Sequence, residues 1–135
     1  MGGLSLYAQK KVLDHLLLVA TFTPPAGIFM SLHTADPTDA GSTVNEISTV
    51  GTNYARFDLA GIMSAADLAT GITTLNSNVN IGPASSDWGL LTHVGFWDAV
   101  TGGNMLFSGQ LSTAQDTPSG KQFQLLAGQF SVRAL

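Results

Sequence analysis

The sequence predicts a mainly β protein, an antiparallel and jelly-roll-like β-sandwich of about seven or eight strands that follows one N-terminal α-helix. Short segments of alternating apolar and polar residues fill most of the chain after residue 25, as expected for half-buried strands. Turn-forming residues separate these segments at short intervals, which is typical of sandwiches and jelly rolls. Near the start, apolar residues recur instead at helical spacing.

The helix is predicted over residues 4 to about 19. Ser5 is a suitable N-cap, because its hydroxyl can accept a hydrogen bond from an N–H group of the first turn. Thr-Pro-Pro at residues 23–25 ends the segment, since proline cannot continue a helix. The apolar stripe carries Leu6, Leu13, Leu16, Leu17 and Ala20, and the remaining positions carry Lys10, Lys11 and Asp14.

Eight later segments have the alternation or the apolar content of strands. They are residues 27–34, 53–61, 72–75, 79–81, 90–99, 105–111, 122–126 and 129–134. The turn Thr-Gly-Gly-Asn at 101–104 predicts a β-hairpin between its two flanking strands. We therefore divide the chain into a helix with a hinge, residues 1–25, and a sandwich domain, residues 26–135.

Charged residues are scarce in this sequence. Only 10% of the residues are charged, against about 25% in an average globular protein, whereas 44% are hydrophobic. This composition favours a folded core and the burial of further surface against partners. The net charge of −4 and the dispersed basic residues argue against nucleic-acid binding. The longest apolar stretch, residues 16–22, is far short of the ~20 residues of a membrane span.

No metal or cofactor site is predicted. Cysteine is absent, which excludes thiolate metal sites and cysteine nucleophiles. His15, His33 and His93 lack the short spacing of zinc ligands, so we expect them at polar edges or interfaces. Asp36 and Asp39 lie in a turn with the oxygen ligands that calcium prefers, but carboxylates accepting backbone N–H bonds are the favoured interpretation.

The chain is not expected to be an enzyme, and no catalytic residue is assigned. His93 and Asp98 share a predicted strand, but their odd separation places them on opposite faces. No Gly-x-Ser-x-Gly nucleophile elbow occurs. Glycosidase chemistry would need a pair of carboxylates, Asp58 with Asp67 or Asp87 with Asp98, and nothing in the sequence brings either pair together.

Three large aromatic residues allow two interpretations. Trp88, Trp97 and Tyr54 could form an aromatic platform for a sugar. Aromatic side chains with a polar group also serve cores and protein interfaces, and this second interpretation is the favoured one.

Several motifs, in their order along the chain, resemble a family of small tailed-phage virion proteins that are often named tail-fibre proteins. They are AQKKVLDHLL at 8–17, LHTADPTDAG at 32–41, NEIS at 45–48, YAR at 54–56, WG at 88–89, THVGFWDA at 92–99 and GGNMLF at 102–107. Similar small sandwiches act as capsid decoration, or cement, proteins. The resemblance covers nearly the whole chain and implies a non-enzymatic structural role, with no catalytic residues to transfer.

The resemblance leaves two locations in the virion. A fibre shaft needs a coiled coil or repeats, and the sequence shows neither heptads nor repeats. We therefore expect a cement protein on the capsid surface that binds the major capsid protein, with a tail-fibre or tail-tip adhesin for a host glycan as the alternative. A homotrimer is expected from the resemblance. Candidate partner-interface residues are Leu6, Leu13, Leu16, Leu17, Trp88 and Trp97; the alternative for the leucines is that they cap the sandwich core.

Overall fold

A computed structural model describes residues 2–134, which form one helix and nine strands. In chain order these elements are β1 (Gly2–Leu4), α1 (Leu6–Leu16), β2 (Phe29–His33), β3 (Phe57–Asp58), β4 (Ile72–Thr74), β5 (Val79–Ile81), β6 (Leu90–Trp97), β7 (Met105–Asp116), β8 (Phe123–Leu125) and β9 (Ser131–Arg133). None of the described helices is long and apolar enough to span a bilayer.

The strands form two sheets. A curled seven-stranded sheet has the order β3-β2-β6-β7-β1-β9-β4, and β5 pairs with β8 in a second, smaller sheet. Most neighbours are antiparallel, but β1 runs parallel to β9, so the large sheet is mixed. The predicted class, a mainly β sandwich with one helix, is confirmed.

The hairpin of β6 and β7 is the centre of the large sheet, as the turn at 101–104 predicts. Val94 pairs with Gly109 and Phe96 with Phe107 across the two strands. The register shifts between Leu91 and His93, where four residues of β7 bulge out opposite a single residue of β6. This bulge lets β7 continue beyond the sheet centre toward the small sheet.

The main core contains buried side chains from both sheets. Met30 and Leu32 of β2 and Val94 and Phe96 of β6 belong to one buried cluster with Val79, Ile81, Phe123 and Leu125 of the small sheet. Because side chains alternate along a strand, the residues between these positions point to the opposite face of the large sheet. That opposite face carries the polar groups described below.

The structure differs from the prediction at several elements, and strand β7 extends to Asp116 where the predicted strand ends at residue 111. The helix ends at Leu16, earlier than residue 19, and the strand predicted at 53–61 is reduced to Phe57–Asp58. Strand β1 was not predicted, because Gly2-Gly3 has low strand propensity. Glycine is required there by close packing: a Cβ on Gly2 would lie 2.8 Å from the carbonyl oxygen of Ser108.

Candidate interaction surface

The outer face of β2 and β6 carries a group of polar side chains that we call the buried polar cluster. It consists of Ser31, His33, Glu46, Tyr54, Arg56 and Trp97. Loop residues 45–47 cover the open edge of β2, where Ile47 N donates to the carbonyl of Leu32. The cluster therefore joins this loop to the sheet.

Ser31 and His33 form a close hydroxyl–imidazole pair within the cluster. Ser31 Oγ lies 2.7 Å from His33 Nε2 and accepts a hydrogen bond of 2.7 Å from Trp97 Nε1. A serine beside a histidine is the arrangement of a nucleophile and its base. Both side chains are 0% exposed, however, so no substrate reaches them. The expectation that His33 lies at a polar edge or interface is wrong, because the covering loop encloses it.

Burial also determines the protonation of His33. Removal from water lowers its pKa to about 4, because the charged imidazolium is poorly solvated there. Within residues 2–134 its Nδ1 atom has no hydrogen-bond partner. His33 is therefore neutral at physiological pH and serves the fold as an uncharged ring.

Glu46 and Arg56 form a buried bidentate ion pair. Arg56 donates from Nε and Nη2 to the two Glu46 carboxylate oxygens, each over 2.9 Å. Its Nη1 group donates to the carbonyls of Ala99 and Gly102 in the β6–β7 turn. The Arg56 guanidinium also lies 4.1 Å from the Trp97 ring centroid. The pair thus clamps the covering loop to the central hairpin.

The pKa values of Glu46 and Tyr54 reflect their hydrogen bonds and their burial. Burial by itself would raise the pKa of Glu46, but hydrogen bonds from Arg56 and Tyr54 more than offset this effect and hold it below its usual value. Burial, reinforced by the neighbouring Glu46 carboxylate, raises the pKa of the Tyr54 hydroxyl. The Glu46, Tyr54 and Arg56 side chains therefore satisfy one another at neutral pH.

An open depression of about 370 Å³ lies between this loop and the β6–β7 turn. The charged residues in its lining are Glu46 and Arg56, which bond to each other. Both charges are thus already neutralised, and the depression offers no uncompensated charge to a ligand.

The aspartates considered for catalysis or calcium binding are turn residues. Asp36, Asp58, Asp67, Asp87 and Asp98 each accept a backbone N–H bond, from Thr38, Ala60, Ala69, Gly89 and Asn104 respectively. This is the usual local role of aspartate in turns. Among residues 2–134, no three His, Asp or Glu side chains lie close enough together to hold a metal ion.

The two tryptophans and Tyr54 belong to the interior of the domain. Trp88, Trp97 and Tyr54 are only 4%, 3% and 3% exposed. Trp88 Nε1 donates to the carbonyl of Thr52 over 2.8 Å, and its ring packs edge-on against Tyr54. These rings form no exposed platform for a sugar. We therefore place the candidate partner surface on the helix, not on the tryptophans.

Helix α1 is fixed to the domain at its first turn. Ser5, the predicted N-cap, accepts from Ala8 N over 3.1 Å and donates to the carbonyl of Met105. Ala8 is 3% exposed and packs with Leu4 and Leu106 in a small second core. Leu6 N bonds to the carbonyl of Asp39. One face of the helix is thus docked through a small residue close to its start.

The opposite face of the helix leaves its large apolar side chains in solvent. The leucine surface, as we call it, consists of Leu6, Leu13 and Leu16 of the helix, the C-cap Leu17, and Leu18 and Val19 directly after it, which are 58%, 57%, 69%, 70%, 93% and 72% exposed. The alternative that these leucines cap the sandwich core does not hold, because the docked face is that of Ala8. Exposed apolar patches of this kind mark interaction sites.

The helix is followed by a leucine at a position where glycine is usual. Leu18 N donates to the carbonyl of His15 and Val19 N to that of Asp14, which is the bonding pattern of a Schellman C-cap. The residue after the cap, Leu18, has a φ of 62°, a conformation that glycine adopts most easily. Leucine is strained there and contributes no packing, since it is 93% exposed.

Covering the leucine surface would release substantial free energy. Its six side chains together equal about four fully exposed aliphatic residues. At about 1.5–3 kcal/mol for each buried leucine, a partner would gain on the order of 6–12 kcal/mol before the cost of association is subtracted. A gain of this size offsets much of the cost of association, which is on the order of 4–15 kcal/mol.

The fold and this surface define a class: a small, mainly β protein with an enclosed polar cluster and an apolar surface available for protein contacts. The family model described as "Podophage GP4 fiber I protein gp80" matches residues 3–133. The chain belongs to this family of phage fibre proteins. No curated protein matches the chain. The prediction of a small tailed-phage virion protein is thereby confirmed.

Proposed function

We propose that the chain is a non-enzymatic structural subunit of a phage tail fibre, and that it assembles with other virion proteins through the leucine surface. The exposure of Leu13, Leu16 and Leu17 by a helix that docks through Ala8 is the observation that carries this proposal. The family match favours a fibre over other virion locations. The Ser31–His33 pair is inaccessible to solvent, which supports a structural role over a catalytic one.

The test is phage carrying the double substitution Leu13→Ser and Leu17→Ser. We expect particles that lack the protein or the fibre, counted by electron microscopy and by quantitative protein analysis. Both side chains are more than half exposed, so the purified variant should keep an unfolding transition close to that of the original chain. Incorporation of the variant at the original copy number would contradict the proposal.

The matched control is Leu68→Ser. Leu68 is fully exposed and belongs to the loop before β4, not to the helix. This variant loses more exposed apolar surface per residue than the test variant, yet it should be incorporated normally. Loss of incorporation in both variants would indicate a general effect of solubility and would not support a specific contact.

Capsid decoration is the second candidate. It is favoured by the short elements of residues 2–134, the longest being the 12-residue β7, since none resembles a fibre shaft. A cement protein binds many equivalent sites on the shell and stabilises it by mass action. Copy number separates the two candidates: hundreds of chains spread over the capsid would favour cement, and a small number at the tail would favour a fibre.

A further inference from the structure

The outer edge of strand β8 is closed by a side chain. The amide of Gln115, near the end of β7, bonds to both backbone groups of Gln124: its Nε2 donates to the Gln124 carbonyl over 2.7 Å, and its Oε1 accepts from Gln124 N over 3.3 Å. A residue of a neighbouring antiparallel strand exchanges the same two bonds with its partner. The Gln115 amide therefore occupies the place of a peptide group on this edge.

The register of the small sheet explains why the Gln124 backbone is available to Gln115. Gln124 lies opposite Asn80 of β5. Successive residues of a strand direct their N–H and carbonyl groups alternately to its two sides. The backbone groups of Gln124 turn toward Gln115, so those of its two neighbours in β8 turn toward β5. Gln124 is thus the β8 residue whose backbone groups lie on the outer edge.

Two other strand edges of the domain are closed by backbone segments. Residues 45–47 cover the edge of β2, and residues 64–67 cover the edge of β4, where Ser64 N donates to the carbonyl of Thr74 over 2.9 Å. An uncovered edge is a template for pairing with another chain, so native proteins usually close it. On the outer edge of β8, the side chain of Gln115 takes the role that these loops have elsewhere.

The space beside β8 leaves this edge within reach of another molecule. An open groove of about 510 Å³ lies between β8 and the end of β7, which belong to different sheets, and its lining includes Gln115, Gln122 and Gln124. The Gln115 side chain spans this gap, so the two backbones lie farther apart here than the ~4.8 Å of paired strands. Removing that side chain therefore exposes both backbone groups of Gln124.

We propose that Gln115 is an edge guard: its amide holds the Gln124 backbone in an internal pairing and so prevents β8 from pairing with β8 of a second copy. The inference goes beyond the proposed function, because it concerns a contact that the fold suppresses and residues outside the leucine surface. Antiparallel pairing of two identical strands is self-complementary, so a bare β8 edge needs no other partner. Gln124 would then exchange both backbone bonds with its counterpart in the second copy.

Sedimentation equilibrium of Gln115→Ala is the first test. The full-length chain carries Leu13→Ser and Leu17→Ser in addition, which weakens any contact through the leucine surface. Self-association should tighten by about tenfold or more relative to the same chain with Gln115, because the freed N–H and carbonyl of Gln124 gain partners in a second copy. A Gln115→Ala variant that unfolds cooperatively but associates no more than its parent would overturn the proposal.

A proline at position 124 tests whether the association uses the β8 edge. The N–H of Gln124 faces away from β5, so Gln124→Pro keeps the bonds between β5 and β8 but removes the donor that a second strand needs. Added to Gln115→Ala, this substitution should return self-association to the level of the parent chain. Undiminished association of the combined variant would place the contact elsewhere and overturn the proposal.

Gln129→Ala is the matched control for a general loss of stability. The Gln129 side chain also accepts from a backbone N–H next to β8, that of Leu126 over 2.7 Å, but in the turn that follows the strand. Its removal should destabilise the chain without causing association. Equal association of Gln129→Ala and Gln115→Ala would indicate exposure of the core by unfolding, and the edge guard would be wrong.

Hydrogen exchange gives a local readout that a merely structural role would not change. In Gln115→Ala, peptides that span Phe123–Leu125 should become more protected as the protein concentration rises, because a second copy then covers the edge. In Gln129→Ala, their protection should not depend on concentration. Protection of this segment that is independent of concentration in both variants would count against pairing through β8.

Discussion

The buried polar cluster and the leucine surface invert the usual distribution of side chains in opposite ways. In the cluster, the charged pair Glu46–Arg56 and the imidazole of His33 are withdrawn from water. On α1, leucines are placed in water. Proteins usually bury polar groups only when each group has a partner. They usually expose several large apolar groups together only where another molecule covers them.

The difference shows which residues serve the fold and which serve contacts. Every charged atom of the cluster bonds to another part of the same chain, so its cost of burial is offset within the domain. The leucine surface has no such internal compensation. Substitutions in the cluster should therefore change stability, whereas substitutions on the leucine surface should change assembly.

The largest expected effect comes from removing one member of the buried ion pair. Arg56→Ala leaves the Glu46 carboxylate and two carbonyls without their donor, and it should lower the free energy of unfolding by about 3–5 kcal/mol. Urea denaturation measures this loss. Lys10→Ala, which breaks the exposed pair with Asp14, is the control and should cost less than about 0.5 kcal/mol. Equal losses would mean that burial does not distinguish the two pairs.

Acid should destabilise the cluster next most strongly. The pKa of His33 is about 4 in the folded chain against 6.5 for an ordinary histidine, so below pH 6.5 the unfolded chain binds the proton more readily. The free energy of unfolding should therefore fall by about 3 kcal/mol between pH 6.5 and pH 4. Glu46 adds to the loss as the pH falls further through its lowered pKa, since its contribution is present only while it is ionised.

Urea denaturation at several pH values measures this effect, and His33→Gln isolates it. The variant lacks the titrating ring, so its free energy of unfolding should depend less steeply on pH between 6.5 and 4. If His33→Gln leaves the slope unchanged, then His33 is not held neutral by the fold.

The smallest effect is expected at Leu18, and its sign is opposite. Leu18→Gly relieves the left-handed backbone at the helix end and should raise the free energy of unfolding by about 0.5 kcal/mol, although it removes an apolar side chain. Thermal unfolding of the chain with and without Leu18→Gly measures it. Leu68→Gly is the control, because Leu68 has no positive φ, and it should not stabilise. A destabilised Leu18→Gly variant would mean that Leu18 contacts the domain.

The sequence was sufficient to place the elements whose signals are local. Ser5 at the N-cap, the Gly102-Gly103 turn and the alternation of β6 and β7 depend on near neighbours, and the structure has them as predicted. The β1 strand was missed, because its glycines are required by β7 and β9, which lie far away in sequence. Local propensity carries no information about such close approach.

The candidate surface was only half predictable. The leucines were identified, but helical spacing alone could not say whether they face the core or the solvent. The motifs NEIS and YAR, noted for the family resemblance, contain Glu46, Tyr54 and Arg56, which meet in the cluster. Glu46 lies only eight to ten residues from Tyr54 and Arg56 in sequence, and this short separation was a signal that the three side chains could meet.

The sequence by itself determined the class of this protein: its sparse charge, its short alternating segments and its single amphipathic helix require a mainly β domain, because periodicity and turn chemistry act over a few residues. Only the tertiary structure decided which residues are hidden. The docking of α1 through Ala8 turned the leucines outward, and the loop over β2 enclosed His33 and Arg56. Burial depends on how distant segments pack, so no local pattern could have assigned it.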